Sequence, residues 1–412
     1  MAKDKEYTVI DLFAGCGGLS LGLYQAGWQG LFAIEKNEFA FATLKANLID
    51  KKKHFAWPDW LPQTAHDINE VLNNYSQQLK NLRCNVDLVA GGPPCQGFSM
   101  AGKRMKDDVR NQLIFSYIKF IKLVQPKMIL FENVKGFTYA FNKKNRDGVE
   151  PYSQIVIRAL EGLGYNVKPH VIDFSDYGVP QRRKRFILVG IQNELGSPDS
   201  FEQMLKDNRD KFLVERGLNK TVLLQEAISD LFRSNGEVPT PDRKGFNSGK
   251  YGNSELTNYE ILMRGDYPDT HDVPNSHSFA KHTADKSKCF LRLLAEYPQR
   301  GKRIDGIARE GWKIRQRGIT VLDPKSVSPT ITGQPDDYLH YFEPRIMTVR
   351  ECARIQSFPD WYEFQKKYTT GGQMRKIEVP RYSQVGNAIP PLFAEQAGYV
   401  LKQMLKYGKI AF

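Results

Sequence analysis

A carboxylate, a cysteine and a basic run stand where strands should end or begin, and their types suggest chemistry on a ring. The segment GGPPCQGFS (91–99) follows the apolar run VDLVA, so Cys95 stands at a carboxyl-end edge, where open α/β sheets bind ligands. Gly91 and Gly92 permit an unusual backbone path, and Pro93 and Pro94 stiffen it by fixing φ. A free cysteine is most often buried and inert, but a rigid loop that presents a thiol is what a nucleophile requires. FENV (131–134) puts Glu132 at the end of the next strand, where a carboxyl could bind or protonate a heterocycle. QRRKR (181–185) adds Gln181, Arg183 and Arg185 beside another strand, with Arg182 and Lys184 read as solvated or as phosphate contacts.

A second group has the chemistry of a nucleoside site. DLFAGCGG (11–18) places Gly15, Gly17 and Gly18 between a strand and a helix, where a ligand can approach the backbone. A dinucleotide fingerprint needs a third glycine at the position held by Ser20. Glu35, ending the next strand, can accept hydrogen bonds from both hydroxyls of a ribose. Asp67, expected at the end of a third strand, can accept from an adenine amino group. Nucleoside recognition without a pyrophosphate clamp points to S-adenosylmethionine rather than NAD.

The elements that must carry these residues alternate. YTVIDLFAG (7–15), GLFAIEKN (30–37), VDLVAGGPP (86–94), KMILFENV (127–134) and the two strands of 166–191 are separated by helical patterns at 39–48, 111–125 and 153–165. This alternation implies βαβ units and a mostly parallel sheet. Beyond Gln192 the rhythm breaks, and Gly, Pro, Asn, Asp and Ser become dense. RYSQVGNAIPPLFAEQAGYVLKQML (381–405) reads as a turn followed by an amphipathic helix. Residues 192–280 carry 10 basic and 15 acidic groups, whereas 281–317 carry 11 and 4, a segregation that fits an ordinary solvated surface as well as a nucleic-acid face.

Composition fits a globular protein whose basic surplus suits a nucleic-acid partner or a generally basic enzyme alike. The chain has 412 residues, 41% hydrophobic and 25% charged, with a net charge of +13. That excludes a disordered chain, and a basic surface speeds encounter with polyanions. No apolar run nears the roughly 18 residues of a membrane span. The opening MAKDKEYTVIDLFAG has no signal-like apolar region, so a cytoplasmic, nucleoid-associated protein is expected. The five cysteines are scattered, with no CxxC pair and no disulfide framework.

DLFAGCGG, GGPPCQGFS, FENV, QRRKR, RECARIQSFPD and QVGNAIPP occur in the order found in bacterial and phage DNA cytosine-5 methyltransferases, which this chain resembles over residues 7–191 and about 344–401. The resemblance implies a Rossmann-like S-adenosylmethionine-dependent methyltransferase domain (1–191 plus 382–412) with an inserted, smaller, loop-rich DNA-recognition domain (192–381). Target recognition would fall in about 192–340. Cys95, Glu132 and Arg185 are implied as the catalytic set, with Arg183 counted beside them and Gln181 in support. Phe13, Gly15, Gly17, Glu35, Lys36, Asp67, Ile68, Pro94, Leu113 and Asn387 are implied as the pocket for S-adenosyl-L-methionine and its product S-adenosyl-L-homocysteine, with no metal. Lys36 departs from the family, which often carries an aromatic beside the adenine ring. Arg350, Glu351 and Arg354 are expected to be structural.

The implied reaction is methylation of carbon 5 of a flipped-out cytosine in double-stranded DNA through a covalent Cys95 adduct. The stretch 100–111, with Lys103, Arg104, Lys106 and Arg110, is expected to be a closing loop. The implied partner is duplex DNA bound by a monomer, with no membrane. A restriction endonuclease sharing the site is the further partner implied. Two other readings remain open on sequence alone: an RNA cytosine methyltransferase using the same chemistry, and a catalytically silent DNA-binding protein.

Overall fold

The computed structural model describes residues 6–94, 112–138, 151–252, 255–265, 273–314 and 316–407. Cys95 and the stretch 100–111 lie outside the described residues. The chain divides into two compact units, one of Met1–Asp173, Lys184–Asp210 and Ala394–Phe412, the other of Phe174–Arg183 and Lys211–Phe393. Relative to the boundaries expected from sequence, 192–210 fall with the first unit, and 174–183 and 382–393 fall with the second.

The first unit is an α/β layer structure. In chain order it contains β1 (Thr8–Leu12), α1 (Gly18–Gln25), β2 (Gln29–Ile34), α2 (Glu38–Leu44), α3 (Ile68–Asn74), α4 (Ser76–Asn81), β3 (Leu88–Gly91), α5 (Gln112–Val124), β4 (Met128–Val134), α6 (Tyr152–Glu161), β5 (Tyr165–Asp173) and β6 (Lys184–Gln192). The six strands form one sheet in the order β2-β1-β3-β4-β6-β5. β1 to β4 pair in parallel, and β6 runs antiparallel to both β4 and β5. Strands this apolar form because both sheet faces are covered: Ile10, Leu12, Phe32, Val89, Ile129 and Phe131 are buried on one face, and Val9, Ala33, Leu88, Ala90, Met128 and Leu130 on the other. Helix α5 buries Ile114, Tyr117, Phe120, Ile121 and Val124, the three-and-four spacing of one helical face.

This strand order fixes where a ligand can sit. From β1 the chain moves to β2 on one side and later returns to β3 on the other, so the crevice opens at the carboxyl ends of β1 and β3. The glycine turn follows β1, Glu35 follows β2, and the Gly–Pro loop follows β3. The final helix, Pro391–Tyr407, packs from Ala394 onward against the C-terminal end of α1, at the opposite end of the sheet. Gly398 lies so close to α1 that an added Cβ would stand 2.8 Å from the Ala26 side chain, and its carbonyl accepts the Trp28 indole N–H at 3.0 Å.

Two elements differ from their sequence reading. Asp67 ends no strand; it is the N-cap of α3, its carboxylate accepting from Asn69 N, because 53–67 is irregular chain tied to β2 by His66 N donating to Glu35 O. RYSQVGN is a helix, Arg381–Asn387, rather than a turn: Pro380 sets an extended N-cap and Pro390 follows its end.

The second unit has little sheet: three short strands (Arg303–Ile304, Ile319–Val321, Tyr338–Leu339) and a pair (Glu237–Pro239, Asn247–Gly249). Buried charge joins the apolar core in tying its loops together. Helix Val349–Ile355 is fully buried and carries Arg350, Glu351 and Arg354 inward. Arg354 pairs with Asp230 and Asp360 at 2.7 Å each. Arg345 binds Glu351 through two nitrogens at 2.6 and 2.9 Å. Arg350 donates to the carbonyls of Asn275, Pro359 and Tyr362. Glu351 also closes a capping box with Thr348. These residues fasten loops to one helix, as RECARIQSFPD suggested. In the basic stretch Lys286, Arg292 and Arg303 pair with Asp336, Glu296 and Asp337. Among the described residues no helix is long and apolar enough to cross a membrane.

Candidate active site

The turn after β1 is built from unusual backbone. Phe13 and Gly15 both have φ near +57°, and Gly17 has φ +90° as the N-cap of α1. A side chain at Gly15 would meet nothing within 4 Å, so the turn borders open space. Glu35 shapes it: Oε2 accepts from Gly15 N at 2.9 Å and Oε1 from Asn37 N at 2.7 Å. Burial raises the Glu35 carboxyl, and backbone hydrogen bonds from Asn37 and Gly15 oppose that shift. Both oxygens are aimed by backbone and retain lone pairs for hydroxyls. Phe13 and Leu113 are half-buried against the same core, and Ile68 is buried in it.

Asp67 meets Lys36 across this edge, with Nζ to Oδ2 at 2.7 Å. Burial pushes the Asp67 carboxyl up, and hydrogen bonds from Lys36 and Asn69 outweigh it, leaving it below the usual carboxylate range. The lysine is raised, first by that hydrogen bond.

A second cluster forms at β3, β4 and β6. Glu132 and Arg185 meet at 3.0 Å, Oε1 to Nε. The register explains the pair: Val134 lies opposite Arg185, and Glu132, two residues earlier, shares its face. Burial pulls Arg185 below the usual guanidinium range, against the pull of Glu132. The Gly–Pro loop sits directly on this pair. A Cβ on Gly92 would stand 2.6 Å from Glu132 Oε2, and one on Gly91 would stand 2.4 Å from Leu12 O. At Gly91 only glycine allows the approach, and at Gly92 a side chain would push the Glu132 carboxylate aside. Asn133, buried, donates to Pro93 O at 3.2 Å and so holds the loop to β4. Pro94 is exposed at the loop's last described position.

Three expected site residues lie in the second unit. Gln181 is fully buried, accepting from Ile331 N at 2.8 Å and donating to Gln356 Oε1 at 2.9 Å. Arg183 is also buried and donates to the carbonyls of Gly386 and Ile331. Asn387 is exposed at the end of its helix. The first unit thus brings Gly15, Glu35, Lys36 and Asp67 into one group and Gly92, Pro93, Glu132 and Arg185 into another, on neighbouring strand ends.

Sequence reasoning missed Asp11. It is 2% exposed inside β1, accepts from Ser20 Oγ, and burial pushes it up to about 7. Ser20 therefore has a function where a dinucleotide site has glycine: it secures the turn to the strand beneath. The available signal was a lone aspartate in an apolar strand. Asn133 was missed too, although it adjoins Glu132 in FENV.

The model of the family described as C-5 cytosine-specific DNA methylase matches residues 7–403. Type II methyltransferase M.DdeI of Desulfomicrobium norvegicum is 31% identical over 396 residues, covering 94% of this chain and 86% of that protein. Type II methyltransferase M1.HphI of Haemophilus parahaemolyticus is 31% identical over 401 residues, covering 96% and 87%. Among solved structures, an E. coli prophage-encoded protein classed as a DNA modification methyltransferase aligns with TM-score 0.66 at 23% identity, over 97% of this chain and all of that one. The S. pombe Dnmt2 methyltransferase aligns with TM-score 0.54 at 16% identity, over 99% and 100%. At these identities the structural likenesses speak to fold alone.

Proposed function

This chain belongs to the C-5 cytosine-specific DNA methylase family, and from that premise we propose that it is the modification enzyme of a Type II restriction–modification system, acting as a monomer on one duplex sequence that a partner endonuclease also reads. The observation that carries the chemistry is the Glu132–Arg185 pair at 3.0 Å beneath the Gly–Pro loop that leads into Cys95.

The residues present suit S-adenosylmethionine. The open turn at Gly15, the backbone-aimed carboxylate of Glu35 and the carboxylate of Asp67 offer acceptors to ribose hydroxyls and a purine edge. Phe13, Gly17, Ile68, Pro94 and Leu113 of the first unit would complete its pocket. When bound, S-adenosylmethionine supplies a methyl group activated on a sulfonium.

Carbon 5 of cytosine is a weak nucleophile, and the base is out of reach inside a stacked duplex, so the target nucleotide is flipped out. The Cys95 thiolate adds to carbon 6 while Glu132 gives a proton to nitrogen 3, which makes the ring an enamine. Arg185 holds the carbonyl oxygen and keeps Glu132 oriented. After methylation, a water removes the carbon 5 proton, the bond from sulfur to carbon 6 breaks, nitrogen 3 returns its proton to Glu132, and Cys95 leaves as thiolate. Gln181 and Arg183 act by positioning: their hydrogen bonds within the second unit hold the segment that enters β6.

The test is methyl transfer to duplex DNA and to tRNA, followed by bisulfite sequencing of a plasmid propagated with the gene. The expected result is 5-methylcytosine at one recurring duplex sequence and no incorporation into tRNA. Incorporation into tRNA without any into DNA would overturn the proposal.

A further inference from the structure

We propose that Lys36 makes the nucleobase edge of the cofactor pocket tolerant of a 6-oxo purine, so that the enzyme binds S-inosylhomocysteine nearly as well as S-adenosylhomocysteine. The inference rests on the reading that Asp67 faces the purine 6-position.

Asp67 is held from both sides. Its Oδ1 accepts from Asn69 N at 2.8 Å and Asn69 Nδ2 at 3.1 Å, and Asn69 is itself fixed by Ser116 Oγ of α5 at 2.6 Å. Its Oδ2 accepts only Lys36 Nζ, at 2.7 Å, among the described residues. His66 N donates to Glu35 O at 2.8 Å, so Asp67 and Lys36 are carried by two segments joined next to the ribose-binding carboxylate. Oδ2 is therefore the oxygen left to meet a ligand, and it does so with an ammonium attached.

That changes what the edge selects. A bare carboxylate accepts from a 6-amino group and repels the lone pairs of a 6-oxo group. Lys36 has three N–H groups and gives one to Asp67, so two remain. Its side chain is 78% exposed, against 18% for Asp67, which leaves the ammonium free to turn. Acceptor and donor then stand side by side. A 6-amino purine donates to Oδ2. A 6-oxo purine, carrying a hydrogen on nitrogen 1, donates there and accepts from Lys36 at its oxygen. An apolar residue at position 36 would remove the donor and restore discrimination.

Calorimetric titration of the full-length protein without DNA, using both ligands, tests this independently of turnover. Wild type should bind the two with dissociation constants within about tenfold of each other. Lys36→Met, at an exposed position and with a similar stem, should widen that ratio by about tenfold, the scale of one charge-assisted hydrogen bond. Asp67→Ala should weaken both ligands. Failure of wild type to bind S-adenosylhomocysteine, or unchanged affinities in Asp67→Ala, would overturn the pocket reading and this inference with it. Binding of S-adenosylhomocysteine that Asp67→Ala weakens, with a wild-type ratio above about a hundredfold or a ratio unmoved by Lys36→Met, would overturn the inference and leave the pocket reading standing.

Discussion

Cys95→Ser abolishes methyl transfer, lowering turnover by roughly a thousandfold or more, while duplex DNA and S-adenosylhomocysteine still bind. A hydroxyl has the size of the thiol but ionises far less readily, so carbon 6 receives no effective nucleophile. No other cysteine is placed to substitute. Cys16 and Cys352 are buried, and burial pushes both thiols up, away from the reactive thiolate. Cys289 donates to Trp312 O in the second unit, and Cys84 lies in the turn after α4, on the far side of β3 from its carboxyl end. Filter binding and tritium incorporation separate the two properties. Turnover within tenfold of wild type would remove Cys95 from the chemistry.

The second large effect is on folding. Arg354→Ala destabilises the second unit by about 3–5 kcal/mol, the usual cost of breaking a buried ion pair from one side. Arg354 is 0% exposed and its guanidinium binds Asp230 through two nitrogens and Asp360 through two, with Ala227 O as a further acceptor. Burial alone would lower this arginine, but the two aspartates outweigh it and hold it above the usual guanidinium range. Its removal leaves Asp230 with Arg264, and Asp360 with Tyr251 and the more distant Arg350, so the buried cluster is short of one cation. The melting temperature should fall by roughly 10 °C, read by differential scanning calorimetry. Arg354→Lys, which keeps the charge but loses the planar fork, should fall between. A shift under about 2 °C in Arg354→Ala would show that solvent reaches the aspartates and that the network does not hold the helix.

Much of the first unit was legible because its signals are local. Apolar strand runs, glycine turns and the paired prolines each declare a backbone requirement within a few residues, so the βαβ half and the positions of Glu35 and Glu132 followed from pattern. Asp67 shows where pattern fails. Its segment, AHDI, reads as the end of a third strand, whereas the side chain caps α3 and the edge is supplied by irregular chain. Asp11 and Asn133 were hidden for the opposite reason: a buried polar side chain inside a strand looks like any other residue until its partners, Ser20 and Pro93 O, are brought near by the fold. The second unit was least legible. Its helix Val349–Ile355 shows in sequence that Arg350, Glu351 and Arg354 are structural but not what they bind: Arg354 meets Asp230, 124 residues away, and Asp360, while Glu351 meets Arg345.

The proposed mechanism turns on the covalent addition of Cys95 to cytosine. Once added, the enzyme is freed only when the carbon 5 hydrogen departs as a proton, and fluorine cannot depart in that way. Incubating the protein with S-adenosylmethionine and a duplex carrying 5-fluorocytosine at its mapped recognition site should give a protein–DNA band that survives denaturing electrophoresis. The band should be absent with Cys95→Ser and much reduced with Glu132→Gln, in which ring activation is weakened. Efficient carbon 5 methylation of ordinary cytosine by wild type, with no trapped band on the fluorinated duplex, would contradict the mechanism.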